Sequence, residues 1–351
     1  MLIQAIGVIL ILGLIVVIHE FGHFIAARSI GITVQEFAIG VGPALWKKQG
    51  KHALYSVRWL PFGGFCLFDS QLEGLDKRGR PLSIMGRKAP SKMYVSLAGP
   101  VFNFVLAAVL FTLLFSVIGF TVGYEAVVGE VRPDSPAWES GMLPGDRILS
   151  IEGEPLAAWQ DLSRILSAKE DESELPFVVQ RDGREQTLQV RPRYSQSDGR
   201  LMIGVVVDER YAITQRISPG EGIMLGLRQT WLMISLLCGA IIQMVTGQIS
   251  VSDNLSGPVA LAQVIGQTIS SGFSDTLFLT AFLSVNLGIM NLIPFPALDG
   301  GRIIVYLIEL ARRKPLKLET EGWINAVGFA FLISLMLFLT FKDILRVFGR
   351  T

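Results

Sequence analysis

The chain has 351 residues, of which 50% are hydrophobic and only 17% are charged, and its formal net charge is +1. Soluble domains carry about 25% charged residues, so this composition and its long uncharged runs indicate an integral membrane protein. A net charge so close to zero gives no electrostatic reason to expect binding to nucleic acid. Cys66 and Cys238 lie in different segments, and they imply neither a disulfide framework nor a metal site.

Residues 2–27 predict the first transmembrane helix, because the chain is apolar from Ala5 to Ala27 apart from His-Glu-Phe-Gly-His at positions 19–23. Positions i and i+4 of a helix lie on one face, about 40° apart around its axis. His19 and His23 can therefore face one metal ion, in the spacing of zinc hydrolases whose glutamate, here Glu20, is the general base. Ionisable residues are costly at membrane depth, which favours function over a chance match. The run continues past any plausible cleavage site, so we do not interpret it as a signal peptide.

The polar segment 28–92 carries an excess of lysine and arginine next to membrane ends, which predicts a cytoplasmic location. Within it, residues 33–39 and 53–59 alternate between apolar and polar side chains as strands do. We predict a small membrane-associated β-sheet over residues 33–69 whose strands are followed by apolar turns. The glycines of these turns are Gly40, Gly42, Gly63 and Gly64.

A second span is predicted at 94–120, and the chain then changes character over residues 122–208. Short β-like runs separated by turn signals indicate one small β-rich domain outside the membrane. The stretch 135–153, which contains Leu-Pro-Gly-Asp-Arg-Ile-Leu-Ser-Ile, resembles bacterial PDZ domains. PDZ domains bind peptides or chain ends as an added strand. The pattern leaves open whether this domain binds such a ligand or only acts as a plug or spacer.

Residues 209–274 are interpreted as a linker with a peripheral helix. Residues 223–245 are apolar enough to span the membrane. If they crossed it, however, the next span would carry its motif at 291–302 to the outer face, where it could not meet the histidines. We therefore predict that 223–245 is amphipathic and surface-lying, or inserts partially and returns through residues 258–273.

The third span is predicted at 275–292 and the fourth at 323–341, with a loop between them at 294–302. Two prolines in this loop must break the helix, which places Asp299 in a non-helical segment at the depth of the histidines. A catalytic zinc site needs three protein ligands and one open position, and Asp299 is the best candidate for the third ligand. The alternative is that Asp299 only caps a turn or helix before Gly300.

The predicted fold is thus an α-helical polytopic membrane protein of about four transmembrane helices, with a membrane-associated β-sheet and one inserted PDZ domain. Residues 1–121 and 275–351 form the two halves of its membrane core.

His-Glu-Phe-Gly-His at 19–23 and Leu-Asp-Gly at 298–300, with a PDZ domain between the second and third spans, resemble the site-2 protease family in its bacterial RseP-like form. The resemblance also covers 98–104 and 284–288. It implies a zinc-dependent intramembrane endopeptidase in which His19, His23 and Asp299 hold Zn²⁺ and Glu20 acts as base. It further suggests that Asn291 contacts the substrate or stabilises the oxyanion; a helix-end hydrogen bond is an equal alternative.

The resemblance also implies the partners and the location. The substrates would be single-pass transmembrane proteins in the lipid bilayer, such as an anti-sigma factor or remnant signal peptides, cleaved after their outer domain has been trimmed. The protein would be multi-pass in a bacterial inner membrane, with the PDZ domain periplasmic and the active site near the cytoplasmic side. This chain departs from the family in two places: it has room for one PDZ domain rather than two, and Phe65-Cys66 stands where Tyr-Val is expected.

A substrate helix must be unwound before cleavage, because its carbonyl groups are held in its own hydrogen bonds. An edge of the predicted sheet could hold the unwound segment as an added strand, with the four glycines permitting close approach of the two backbones. Two other functions are weighed. A non-catalytic PDZ scaffold would not need an intact base and three ligands, and a metal transporter would need several intramembrane sites along a path.

Overall fold

The computed structural model describes residues 2–68, 74–76, 79, 81–169, 171–195, 199–248 and 257–348. They form two compact units. The helical unit comprises Met1–Val117 and Ser218–Thr351, and the inserted unit comprises Ile118–Ile217.

Among the described residues, the helical unit contains seven helices, which we number in chain order with those of the inserted unit. They are α1 (Leu2–Ser29), α2 (Ala89–Leu113), α5 (Pro219–Val245), α6 (Pro258–Ser271), α7 (Phe273–Leu292), α8 (Asp299–Arg312) and, last in the chain, α9 (Leu318–Phe348). A short π-helical turn, Leu114–Ile118, continues α2. Among the described residues, five helical segments are long and apolar enough to cross a membrane: Gln4–Ser29, Ala89–Ile118, Pro219–Val245, Phe273–Leu292 and Glu319–Arg346.

The segment beyond the four predicted spans is α5, for whose residues 223–245 we predicted a surface-lying helix or a partial insertion that returns through 258–273. Helix α5 lies along α2: a Cβ added to Gly222 would meet Ser116, and one added to Gly226 would meet Thr112. Residue numbers rise along α5 as they fall along α2, so the two helices are antiparallel. The amphipathicity argument missed this packing because a glycine face that admits a neighbouring helix carries little hydropathy signal.

Helix α7 is also antiparallel to α2, since the Phe278 ring lies 5.5 Å from Phe111 and the Ser284 hydroxyl donates to the carbonyl of Asn103. Helices α5 and α7 therefore run in the same direction. The chain that connects the end of α5 to the start of α7 must therefore lead back to the end of the bundle where α5 begins.

Two long strands, β1 (Val34–Gln49) and β2 (Leu54–Phe68), pair as an antiparallel hairpin against α1. The predicted apolar turns at the four glycines are wrong, because both strands continue through them and the chain reverses between Gln49 and Leu54. The glycines instead accompany register shifts, with a positive φ at Gly40, Gly42 and Gly63. Glycine adopts this backbone conformation without steric cost, so it bulges a strand as readily as it turns one.

The inserted unit is β-rich. Its four-stranded antiparallel sheet has the order β6 (Glu154–Pro155), β5 (Arg147–Ile151), β7 (Leu175–Arg181) and β8 (Arg184–Val190). Three two-stranded pairs complete it: β3 (Phe120–Tyr124) with β12 (Ala212–Gln215), β4 (Val128–Val131) with β11 (Val205–Val207), and β9 (Arg193–Ser195) with β10 (Arg200–Met202). Two short helices, α3 (Pro136–Glu139) and α4 (Trp159–Ser167), flank the strands.

The inserted unit extends beyond the predicted limits of 122–208 because β3 and β12 pair with each other. This pairing brings together the two ends of the inserted chain. The sequence predicts this pairing only weakly, because β12 is four residues long. We had placed those residues in the predicted linker 209–274.

Candidate metal centre

Three buried side chains from two distant parts of the helical unit converge on one point. His19 and His23 project from α1, and Asp299 is the first residue of α8. The Nε2 atoms of the two histidines lie 3.2 Å apart, and they lie 3.1 and 3.3 Å from Oδ2 of Asp299. All three residues are less than 10% exposed, so the convergence is not an accident of mobile surface side chains.

The donor set fits a zinc ion. Two atoms bound to zinc at tetrahedral angles, each about 2.0–2.1 Å from the metal, lie about 3.3–3.4 Å apart, close to the three separations observed. Oδ2 of Asp299 is buried and accepts no well-directed hydrogen bond from the described residues. A buried carboxylate oxygen facing two imidazole nitrogens is costly unless a cation satisfies it.

Contacts from α2 determine which nitrogen of each ring is free for the metal. Nδ1 of His23 lies 2.8 Å from the carbonyl oxygen of Val95. A carbonyl only accepts, so Nδ1 carries the proton and Nε2 presents its lone pair to the cluster.

The corresponding partner of His19 is Asn103, which is completely buried. Its Nδ2 lies 3.2 Å from Nδ1 of His19, while its Oδ1 has no partner among the described residues. With the amide as placed, Nδ2 donates to Nδ1, and the His19 proton belongs on Nε2, facing Asp299. With the amide rotated by 180°, Oδ1 accepts from Nδ1 and frees Nε2 for a metal. The metal-binding tautomer therefore requires the rotated amide.

Two glycines give the cluster its space. A Cβ added to Gly99 of α2 would lie 2.4 Å from Nε2 of His23. A Cβ added to Gly22 of α1 would lie 2.4 Å from the carbonyl oxygen of Ala98. Helices α1 and α2 thus approach backbone to backbone at the level of the histidines.

Asp299 does not lie in a non-helical segment, as we had predicted, but begins α8. The prolines do break the chain: Leu292 ends α7, and Ala297 has a φ of 74°. The new helix can start at once because of Gly300, where a Cβ would lie 2.3 Å from the carbonyl oxygen of Leu292. The glycine after the aspartate therefore lets the first turn of α8 press against the end of α7.

Glu20 is half-buried beside the cluster, and strand β2 lies close to its side chain. A Cβ added to Gly64 would lie 3.6 Å from Cγ of Glu20. Burial, with the Glu20 charge, raises the pKa of the Cys66 thiol well above its usual range. Burial therefore favours the neutral thiol over the thiolate.

The other predicted site residues lie in two places. Asn291 is in the last turn of α7, where its Nδ2 donates to the carbonyl of Leu287 at 3.0 Å. This is the helix-end hydrogen bond that the sequence left as an alternative, and a role toward substrate stays a prediction. Among the strand glycines, Gly64 is the one with a contact to Glu20 among its three nearest atoms.

Sequence reasoning missed the contribution of α2. It noted 98–104 as part of the family resemblance but assigned no role to Gly99 or Asn103. An asparagine inside an apolar helix itself indicates a buried polar contact, because an amide at membrane depth needs a hydrogen-bond partner.

A buried His-His-Asp cluster with an adjacent glutamate, set among helices apolar enough to cross a membrane, defines a metal-dependent hydrolase of the membrane-embedded kind. The chain belongs to peptidase family M50, whose profile matches residues 7–335. It is a zinc-dependent metalloendopeptidase of the site-2 protease family and a multi-pass membrane protein.

Two relatives carry the name zinc metalloprotease RasP. The protein from Oceanobacillus iheyensis is 30% identical over 420 aligned positions, covering 97% of this chain and 98% of the relative. The protein from Geobacillus kaustophilus is 30% identical over 421 positions, covering 98% of each. These alignments are longer than the chain of 351 residues, so both relatives contain insertions that this chain lacks.

Two solved structures of PDZ domains each match about a quarter of the chain. The PDZ domain of an SdrC-like protein from Listeria innocua is 18% identical, with a TM-score of 0.22, over 24% of this chain and 92% of that one. Its counterpart from Listeria monocytogenes is 20% identical, with a TM-score of 0.23, over 26% of this chain and 96% of that one.

Proposed function

We propose that this protein is an intramembrane endopeptidase that cleaves single-pass membrane proteins within a bacterial inner membrane, after their outer domains have been trimmed. His19, His23 and Asp299 hold the catalytic Zn²⁺, and Glu20 is the general acid–base. The observation that carries the proposal is the convergence of these three buried donors, 3.1–3.3 Å apart, between helices apolar enough to span.

The chemistry follows from the residues around the cluster. His19, His23 and Asp299 would hold a Zn²⁺ ion, which when bound would supply Lewis-acid polarisation of the scissile carbonyl and a lowered pKa for water. Glu20 accepts a proton from the attacking water and passes it to the leaving amine.

Strand addition brings the substrate to Glu20. The β1–β2 hairpin is a two-stranded sheet among the described residues, so each strand keeps an outer edge for another strand. Apolar side chains stand exposed on it, including Leu45, Trp46, Trp59 and Leu60. An unwound transmembrane segment is apolar and needs backbone partners, and this hairpin offers both.

The inserted unit, interpreted from its sequence as a PDZ domain, lies on the periplasmic side and receives a peptide or chain end. A cavity in this unit is lined by α4 and by the segment 200–205, with Leu162, Leu166 and Ile203 among its apolar residues. The excess of lysine and arginine in 28–92 supports a cytoplasmic location for the β1–β2 hairpin.

The deciding experiment compares wild type with Glu20→Gln, which preserves the size of the side chain. Zinc content and cleavage of a single-pass model substrate are measured on the same purified preparations. We expect one zinc per chain in both proteins and cleavage by wild type alone. Cleavage by the Gln variant at the wild-type rate would contradict the role of Glu20. Absence of stoichiometric zinc from wild type would contradict the ligand assignment.

A further inference from the structure

A basic cavity lies where α2 begins, at the same end of that helix as its contacts with the histidines. It is enclosed by the segment 85–90 before and at the start of α2, and by the segment 309–315, which includes the end of α8. Its volume is about 510 Å³. The cavity is separate from the metal cluster, and the hydrolytic reaction does not use it.

The lining of this cavity is strongly cationic. Its charged residues are one carboxylate and five cations: Glu309, Arg87, Lys88, Lys92, Arg313 and Lys314. Lys92 is already neutralised, because its Nζ lies 3.0 Å from Oε2 of Glu309 in a buried ion pair. Arg87 has a carboxylate partner as well, because its Nη2 lies 3.7 Å from Oδ2 of Asp76. The other three cations, Lys88, Arg313 and Lys314, give the cavity an unbalanced positive charge.

Two further features point to an anion as the occupant. Arg87 is 7% exposed, and its Nε has no hydrogen-bond partner among the described residues. A buried guanidinium N–H without a partner is costly, and a phosphate oxygen would satisfy it. Helix α2 has 25 residues, and no side chain caps its N-terminus at Lys88, so its positive dipole end also favours an anion.

The position of the cavity identifies the source of that anion. Helix α2 belongs to a segment apolar enough to cross the membrane, so its first turn lies at the depth where lipid headgroups begin. Basic pockets between membrane helices at this depth suit anionic headgroups. We propose that this cavity binds the phosphate of an anionic phospholipid.

The test uses delipidated full-length protein in neutral detergent, with native mass spectrometry counting the lipids retained. The probes are phosphatidylglycerol, phosphatidylcholine and inorganic phosphate. We expect one phosphatidylglycerol bound at least tenfold more tightly than phosphatidylcholine, with affinity falling as salt is raised. The triple variant Lys88→Ala, Arg313→Ala, Lys314→Ala changes exposed residues only, and it should weaken that binding about tenfold or more.

A matched control removes the same charge from the hairpin of the same unit: Lys47→Ala, Lys48→Ala, Lys51→Ala, all exposed. Retention of phosphatidylglycerol by this control supports the proposal. Equal loss from both triple variants would assign the effect to bulk surface charge and overturn it. Equal retention of both lipids by wild type, or inorganic phosphate that binds as tightly as phosphatidylglycerol, would overturn it as well.

Discussion

At the scale of single residues, Asn103 decides whether the cluster is ready for metal. Its side chain reaches Nδ1 of His19 from the neighbouring helix. Zinc binding requires the His19 proton on Nδ1, and the amide oxygen is the acceptor available to it. The role of Asn103 is positional, because it acts on the metal through His19.

We therefore expect Asn103→Ala to weaken zinc binding by about 10–100-fold, the usual loss when a residue that hydrogen-bonds to a metal ligand is removed. The measurement is the zinc dissociation constant, obtained by competition with a chelator and independent of activity. Asn286→Ala is the matched control, since Asn286 lies on α7 and no hydrogen bond joins it to the cluster among the described residues. Equal zinc affinity in wild type and Asn103→Ala would contradict the positioning role.

Gly64 has a role within the hairpin itself, besides its predicted role toward substrate. The sequence predicted that it admits a substrate backbone. In the structure a Cβ there would lie 2.8 Å from the carbonyl oxygen of Ala38 and 3.6 Å from Cγ of Glu20. Gly64 thus permits both the pairing of β1 with β2 and the approach of β2 to the base.

Gly64→Val should slow cleavage severalfold while zinc content stays at the wild-type level, because the strand moves but the metal donors do not. Gly64→Ala should show the same effect more weakly. Cleavage and zinc are measured together on each variant. Unchanged cleavage by the valine variant would contradict any role of this strand in presenting substrate to Glu20.

At the scale of elements, one carboxylate joins the last helix, α9, to the start of α6. Asp343 of α9 accepts hydrogen bonds from the backbone N–H of Gly257 at 3.2 Å and of Ala260 at 3.0 Å. These N–H groups belong to the N-terminus of α6, which has no cap from its own segment. The aspartate therefore caps α6 from another helix.

Asp343→Ala should destabilise the N-terminus of α6 by about 1 kcal/mol, the usual value of a lost cap. Hydrogen exchange at the amides of Gly257 and Ala260 reports it directly. Thr340→Ala removes only a bond to the carbonyl of Met336 within α9, and it should leave that exchange unchanged. Equal exchange in wild type and the aspartate variant would contradict the cap.

At the scale of the whole molecule, the inserted unit carries a hydrophobic core of its own. Phe177, Val179 and Ile151 are completely buried there, together with residues from its other strands and α4. In the same unit the buried carboxylate of Asp146 pairs with the half-buried Arg181 at 2.7 Å. A unit with its own core should fold without the helices around it.

We expect the isolated fragment 118–217 to unfold cooperatively, with a free energy of unfolding of about 5 kcal/mol or more. Denaturant titration followed by circular dichroism measures it. Phe177→Ala should remove about 3–5 kcal/mol through the cavity it leaves, whereas Glu185→Ala, on the exposed face of β8, should cost little. A fragment without a cooperative transition would mean that the inserted unit depends on the helical unit.

Much of this molecule follows from sequence alone, because local chemistry specifies it. The spacing of His19 and His23 on one helix face, the apolar runs and the β-rich composition of the inserted segment are properties of neighbouring residues. The link from the histidines to Asp299 was also predictable, because zinc needs a third ligand and the proline break placed a carboxylate at the same depth.

Only the tertiary structure decided the rest, because it depends on contacts between residues distant in the chain. The tautomer of His19 depends on Asn103, 84 positions away. The packing of α5 on α2 depends on glycines that carry little hydropathy signal. The strand glycines could not be distinguished from turn glycines, since both use the same backbone angles. A pattern read along the chain reports what each residue prefers, whereas the fold decides which partner it meets.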